Sequence, residues 1–191
     1  MAKGLNNMVD LLELQKRFIL AHLRSGDVAV DCTMGNGNDT AFLSESVGPE
    51  GKVYAFDIQE AALESTKAHL QALGCPENYT LIHASHHRIL EFVKEAPKAV
   101  MFNLGYLPGS GKKQVTTMRE TTMEAVRGAI ELLAHDGILL VAIYPGHEEG
   151  RLEGEMLGEY FATLDRHLIC CSCFKIVNSP TSPYFYIVEK K

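Results

Sequence analysis

The residues of this chain best suited to chemistry begin with the segment DCTMGNGNDT at positions 31 to 40. Asp31 closes a short β-rich run, and Gly35 and Gly37 stand where a strand turns into a helix. Glycines at such a turn let the backbone come close to a ligand, and a helix N-terminus offers free N–H groups to an anion. Twenty residues beyond Gly37, Asp57 ends the next β-rich run, where a carboxylate can accept both hydroxyls of a ribose. This combination specifies a nucleoside-type cofactor. A dinucleotide site of the form G-x-G-x-x-G would need a third small residue so that its helix can approach the pyrophosphate. Thr40 occupies that place, which disfavours NAD.

The elements that must position these residues alternate. Leu11, Leu12, Phe18, Ile19 and Leu23 recur at helical spacing, so residues 1–25 are read as an N-terminal helix packing on the rest of the domain. VAVDC (28 to 32) and VYAFDI (53 to 58) are strands flanking a helix that begins at NDTAFLSESV, which makes a βαβ unit. Residues 60 to 73 read as a helix, YTLIHA as a strand, 86 to 95 as a helix and KAVMFNL as another strand. Met118, Thr122, Ala125, Ala129 and Leu133 give the next helix one apolar face, and GILLVAIYP is apolar on both faces, as a central parallel strand requires. After an acidic helix near 148 to 163, HLICCSCFKIV and PYFYIVEK are separated only by NSPTS, too short for a crossover helix, so they must be antiparallel neighbours. LICCSCFKIV reads as a buried strand. The expected fold is α/β and Rossmann-like, a mostly parallel sheet of about seven strands closed by a C-terminal antiparallel hairpin.

Composition bounds the rest. The chain has 191 residues, 46% of them hydrophobic, with no repeat or low-complexity linker, so residues 1–191 are read as a single domain. A compact fold of this length removes roughly 70% of the unfolded surface from water and needs neither disulfides nor a structural metal. No apolar run approaches the ~20 residues that span a bilayer, and the N-terminus lacks a basic-then-apolar signal pattern. Cys32, Cys75, Cys170, Cys171 and Cys173 are odd in number and unevenly spread, which points to a reducing cytoplasm. No second Cys/His pair stands at a spacing that would complete a zinc site with the Cys170 cluster, so no metal is expected. The net charge of −6 argues against indiscriminate nucleic-acid binding. The charge is uneven, however: residues 148 to 159 carry five Glu and one Arg, whereas Lys112, Lys113 and Arg119 form a basic cluster. A polyanion would bind near that cluster.

The D-x-x-x-G-x-G segment, with Asp57 at the next strand end and a closing hairpin, resembles the class I S-adenosylmethionine (SAM) methyltransferases over almost the whole chain. Asp31, Gly35, Gly37 and Asp57 match that motif. The resemblance implies that Asp31 to Thr40, including Asn36, Asn38 and Asp39, together with Asp57, Gln59, Ser85 and His86 hold SAM. Ser85 and His86 fall where this fold commonly contacts adenine, a place where many relatives carry an acid. NLGYLPG (103 to 109) resembles the N-P-P-Y motif of methyltransferases acting on amino nitrogens in nucleic-acid bases, with Leu104 and Gly105 in place of the prolines. In that motif the Asn103 side-chain oxygen and a nearby backbone carbonyl accept the amine's hydrogens and aim its lone pair, and Tyr106 stacks on a planar base. A protonated amine has no lone pair, so desolvation or a base must strip its proton. His147 and His86 are the histidines best placed to take it.

DCTMGNGNDT, FDIQ, ASHH, NLGYLPGSGKK, YPGHEEG and SPYFYIVEK together resemble the small bacterial family first labelled rRNA methylases and since associated with transfer-RNA wobble-uridine modification. The resemblance implies N-methylation of 5-aminomethyl-(2-thio)uridine at position 34. Asn103 and Tyr106 would position the amine, and Lys112, Lys113, Arg119, His147 and Ser179 would face the anticodon stem-loop. A homodimer would enlarge that surface. Two alternatives stay open: a methyltransferase acting on an rRNA base amine or a small molecule, and a non-catalytic SAM-binding partner protein.

Overall fold

A computed structural model describes residues 10–105, 118–146 and 148–191. Helix α1 (Leu11–His22) starts where the Asp10 side chain accepts hydrogen bonds from the Leu12 and Glu13 amides, satisfying N–H groups that the first turn leaves unpaired. The chain then alternates through β1 (Val28–Asp31), α2 (Asn38–Val47), β2 (Lys52–Asp57), α3 (Glu60–Leu73) and β3 (Tyr79–His83). A 3₁₀ turn at His86–Arg88 leads into the short α4 (Ile89–Phe92), followed by β4 (Ala99–Asn103), α5 (Arg119–Leu132) and β5 (Ile138–Ile143). Helix α6 (Glu148–Ala162) and the strands β6 (Ile169–Phe174) and β7 (Tyr184–Lys190) complete it.

The strands form one seven-stranded sheet in the order β3-β2-β1-β4-β5-β7-β6, with β1 to β5 parallel and β7 antiparallel to both β5 and β6. This is the expected Rossmann-like sheet with its closing hairpin. Side chains alternate between two cores. Val30, Phe56, Phe102, Leu139 and Val141 pack under α4, α5 and α6, while Ala29, Val53, Met101, Leu140 and Phe185 pack under α1 and α2. All six residues of β5 are buried, as their two-faced apolarity requires. The chain leaves β1 outward to β2 and β3, then returns to place β4 on the other side of β1. The crevice of a doubly wound sheet opens at this reversal, beyond the carboxyl ends of β1 and β4. Among the described residues, no helix is long and apolar enough to cross a membrane and no group of His, Cys, Asp and Glu could hold a metal ion.

Two expectations are corrected. The helix expected over 86 to 95 is a 3₁₀ turn plus Ile89–Phe92. Pro97 disfavours helical geometry just before it, and Glu95 is drawn to β2, accepting from Lys52 Nζ at 2.8 Å and the Tyr54 hydroxyl at 2.6 Å. The run containing Cys170, Cys171 and Cys173 is not a buried strand. β7 takes the inner place beside β5, which leaves β6 on the sheet edge with Cys170 and Cys173 exposed.

Candidate active site

The loop between β1 and α2 is shaped by backbone conformations that favour glycine. Gly35 (φ +52°) and Gly37 (φ +83°) are left-handed, and the turn they make delivers Asn38 as the first residue of α2. Helix α3 holds the loop from behind. Thr66 Oγ1 donates to the Gly35 carbonyl at 3.1 Å, and Ser65 Oγ donates to the Asn36 side-chain oxygen at 3.1 Å. A Cβ on Gly37 would stand 3.0 Å from the backbone Cα and the side chain of Thr66, which is fully buried and cannot yield. Gly37→Ala is therefore expected to cost about 2–3 kcal/mol, from the left-handed backbone and the clash together, read as a lowered urea midpoint at unchanged slope.

Behind the loop, the fully buried Asp31 carboxylate accepts from Thr40 Oγ1 at 2.7 Å and the Thr33 amide at 3.0 Å, tying the end of β1 to the first turn of α2. In front of it lies a cleft of about 1280 Å³ at the crevice between β1 and β4. Gly35, Asn36, Asn38, Asp39, Asp57, Gln59, Ser85, His86 and Asn103 all line it. Of the residues singled out from the sequence, Asp31, Gly37 and Thr40 stand behind its wall. Asp57 receives the Gly35 amide on one carboxylate oxygen (3.1 Å) and the Gln59 amide on the other (2.9 Å), so the end of β2 is tied to the loop.

His86, 8% exposed, donates Nδ1–H to the Cys32 carbonyl at 3.1 Å and meets the Phe102 ring edge-on. That bond fixes the tautomer and leaves Nε2 as an acceptor, buried and without a partner among the described residues. Beside it, the Ser85 hydroxyl is bonded to His87 Nδ1 at 2.8 Å. A buried acceptor of this kind suits a ligand that brings its own N–H, such as an exocyclic amine of a base. At the other end of the cleft, the Asn103 amide nitrogen donates to the Asp39 carboxylate and its oxygen accepts from the Tyr144 hydroxyl at 3.2 Å.

Asp39 and Asp57 thus line the cleft with Asp31 behind its wall, and burial pushes all three above the usual carboxylate range. Lys16 of α1, also on the cleft wall, opposes the rise at Asp39. A cationic ligand would oppose it likewise, by favouring the ionised carboxylates.

Burial, reinforced by the Asp39 charge, pushes Asp31 up to about 7 from 3.8, whereas burial lowers His86 to about 4 from 6.5. Native Asp31 holds a proton that the unfolded chain releases, so its contribution to stability falls as pH rises from about 4 to 7. Native His86 refuses a proton that the unfolded chain accepts, so its contribution falls as pH drops from about 6.5 to 4. The two oppose each other over most of that window. Asp31→Asn removes one limb, and its Tm relative to the unsubstituted protein is expected to rise steadily from pH 4 to 7, measured by calorimetry.

Of the other residues singled out, Arg119 lies in the first turn of α5 and is paired with Glu149 of α6 at 3.0 Å. Ser179 lies in the β6–β7 connection, bonded to Ser182 Oγ at 2.7 Å. Thr181 and Pro183 of the same connection reach the cleft. Tyr106, Lys112, Lys113 and His147 lie outside the described residues. Among the cleft residues not legible in advance are Gln15 and Lys16, brought over the cleft by α1, and Tyr144 just beyond β5. For Gln15 a signal existed, a polar residue at a buried position on an otherwise apolar helix face.

The sequence profile of the family described as "Putative rRNA methylase" matches residues 53–190. This chain belongs to that family. It is 38% identical over 180 residues to the chloroplastic tRNA (mnm(5)s(2)U34)-methyltransferase of Arabidopsis thaliana, covering 88% of this chain and 65% of that protein. The chain therefore spans a little under two thirds of that relative's length. Among solved structures, the rRNA-methylase family fold recurs in a protein of Clostridium thermocellum described as a "putative rRNA-methylase", at 37% identity and TM-score 0.92, over 97% of this chain and 100% of that one. A "putative methyltransferase" of Streptococcus mutans, solved in complex with SAH, matches at 34% identity and TM-score 0.86, over 96% and 99% of the two chains.

Proposed function

We propose that this family member is a SAM-dependent N-methyltransferase that converts 5-aminomethyl-(2-thio)uridine at the tRNA wobble position 34 to its methylaminomethyl form. The observation that carries the reading is Asn103. It stands at the end of β4 on the cleft wall, its nitrogen given to Asp39 and its oxygen accepting from the Tyr144 hydroxyl, which leaves that oxygen a lone pair for a substrate N–H. The name of the Arabidopsis relative supports the choice of nucleoside.

The cleft fits SAM by the chemistry of its walls: carboxylates for a cation, a strand-end carboxylate for a ribose, and an orphaned imidazole nitrogen for a base amine. Asp57 and Gln59 would hold the ribose, Ser85 and His86 the adenine, and Gly35, Asn36 and Asn38 the remainder, with Asp31, Gly37 and Thr40 fixing the loop that carries them. When bound, SAM supplies a methyl group on a positive sulfur, and the amine nitrogen bonds to that carbon while the carbon–sulfur pair returns to sulfur. The protein's own part is to receive the substrate as a neutral amine. Asn103 Oδ1 takes one of its hydrogens, which aims the lone pair, and the displaced proton leaves to solvent.

Tyr106, Lys112, Lys113, Arg119, His147 and Ser179 are proposed to face the anticodon stem-loop, with residues 1–191 as one catalytic domain in the cytoplasm and a homodimer enlarging the RNA surface. Labelled SAM offered with tRNA from cells that accumulate 5-aminomethyluridine, beside rRNA and a metabolite extract, tests the reading. Nucleoside mass spectrometry should find the label on the wobble aminomethyl nitrogen. Label confined to rRNA or small molecules would overturn the substrate, and no transfer despite SAM binding would favour a non-catalytic partner protein.

A further inference from the structure

An asparagine is useful for aiming an amine only if its oxygen, not its nitrogen, faces the substrate. The two ends of the amide have nearly the same shape, and half a turn about χ2 exchanges them at no steric cost. The choice between them must come from neighbours, and here three elements supply those neighbours. Asp39 in the first turn of α2 accepts from the Asn103 nitrogen. Tyr144, just beyond β5, donates its hydroxyl to the Asn103 oxygen at 3.2 Å. The Asn103 backbone amide donates to Thr33 Oγ1 at 2.7 Å, which fixes the Cα from which the side chain swings.

An ionised carboxylate only accepts, so Asp39 admits the one orientation that turns the amide nitrogen toward it, and the Tyr144 hydroxyl, which can donate or accept, donates to the oxygen left on its side. The flipped amide would set its oxygen against the Asp39 carboxylate, a repulsion that the Tyr144 oxygen could not offset by accepting from the NH₂. We infer that Asp39 is a positioning residue that locks the Asn103 amide with its oxygen on the Tyr144 side of the cleft wall, and that Tyr144 holds that oxygen in place. Asn103 Oδ1 has two lone pairs. One is taken by Tyr144, and the second is left for a substrate N–H. The Tyr144 oxygen, on the same cleft wall, keeps lone pairs of its own for the other hydrogen of a primary amine. A neutral primary amine with both hydrogens held has its lone pair pointed in one direction.

This inference rests on the N-methyltransferase reading, and a polarity swap separates the two. Asn103→Asp alone sets two carboxylates face to face. The double variant Asp39→Asn, Asn103→Asp restores a hydrogen-bonded pair of the same net charge, with an acceptor oxygen again toward the cleft. Single-turnover methyl transfer to aminomethyl-tRNA is expected to fall roughly 100-fold in Asn103→Asp and to recover at least about tenfold in the double variant. Tyr144→Phe, which preserves packing, should lose roughly tenfold in kcat while the KM for tRNA and the Kd for SAM stay within about twofold. A double variant no better than Asn103→Asp, with Tyr144→Phe as fast as the unsubstituted protein, overturns the lock.

The ¹⁵N–¹H spectrum of the Asn103 side chain, read without substrate, is independent of the reaction. One strongly downfield, slowly exchanging amide proton that is lost in Asp39→Asn supports the lock, even if the unsubstituted protein leaves the tRNA unmethylated and the substrate reading falls. Two averaged, unprotected amide protons overturn it whatever the enzyme methylates.

Discussion

Asn103→Ala is expected to slow methyl transfer by roughly 100-fold or more while leaving SAM affinity within about twofold. The magnitude reflects what the residue is asked to do. A positioned hydrogen-bond partner at a reacting centre contributes on the order of 100- to 1000-fold, and a misaimed nucleophile loses a similar factor. The fold should tolerate the change. Truncation strands the Asp39 carboxylate and the Tyr144 hydroxyl, but both line a cleft of about 1280 Å³ where water can replace the lost amide, so the stability cost is about 1 kcal/mol. Single-turnover rates and a calorimetric SAM titration on the same preparation check both halves. Rate and affinity falling together would place Asn103 with the cofactor, and an unchanged rate would remove it from the reaction.

The sequence made local chemistry legible and left neighbourhood obscure. DCTMGNGNDT and Asp57 could be placed because their positions depend on chain-adjacent geometry: a tight turn, a helix start, a strand end. Left-handed φ at Gly35 and Gly37, and the ties from Gly35 and Gln59 to Asp57, are what that reading requires. The closing hairpin was legible for the same reason, since a short connection leaves strands no other pairing. The position of β6 was not. Apolar residue types say that a run makes a strand, not which neighbours it receives, and the insertion of β7 beside β5 put the cysteines on the edge. Asp39 shows the limit most directly. It reads as part of the cofactor loop, yet its carboxylate is spent on a residue 64 positions away. Nothing in either segment encodes that contact; the crossing of β4 beside β1 creates it. Tyr144 and Gln15 were missed likewise, one because β5 follows β4 in the sheet and the other because α1 lies across the cleft mouth.

Asp57→Ala carries the second large expectation, a roughly 100-fold or greater loss of SAM affinity. The two carboxylate oxygens of Asp57 accept backbone amides, from Gly35 on one and Gln59 on the other, and keep lone pairs for the hydroxyls of a ribose. Two hydrogen bonds to a charged acceptor, at about 1.5–3 kcal/mol each, set the scale. Their loss is compounded because the alanine variant also releases the Gly35 amide and with it the turn that α3 holds from behind. Asp57→Asn keeps one acceptor and should lose roughly tenfold, the equivalent of about 1.4 kcal/mol. A pH series separates charge from shape. Burial pushes the Asp57 carboxyl above the usual carboxylate range, so the unsubstituted protein loses the ionised acceptor at a higher pH than an exposed aspartate would. Its SAM affinity is therefore expected to decline as pH falls toward that raised value, while Asp57→Asn, with nothing to protonate, lacks that decline. Equal acid limbs in the two proteins, or an alanine variant that binds SAM normally, would move the ribose away from the end of β2 and undo the assignment of the loop in front of it.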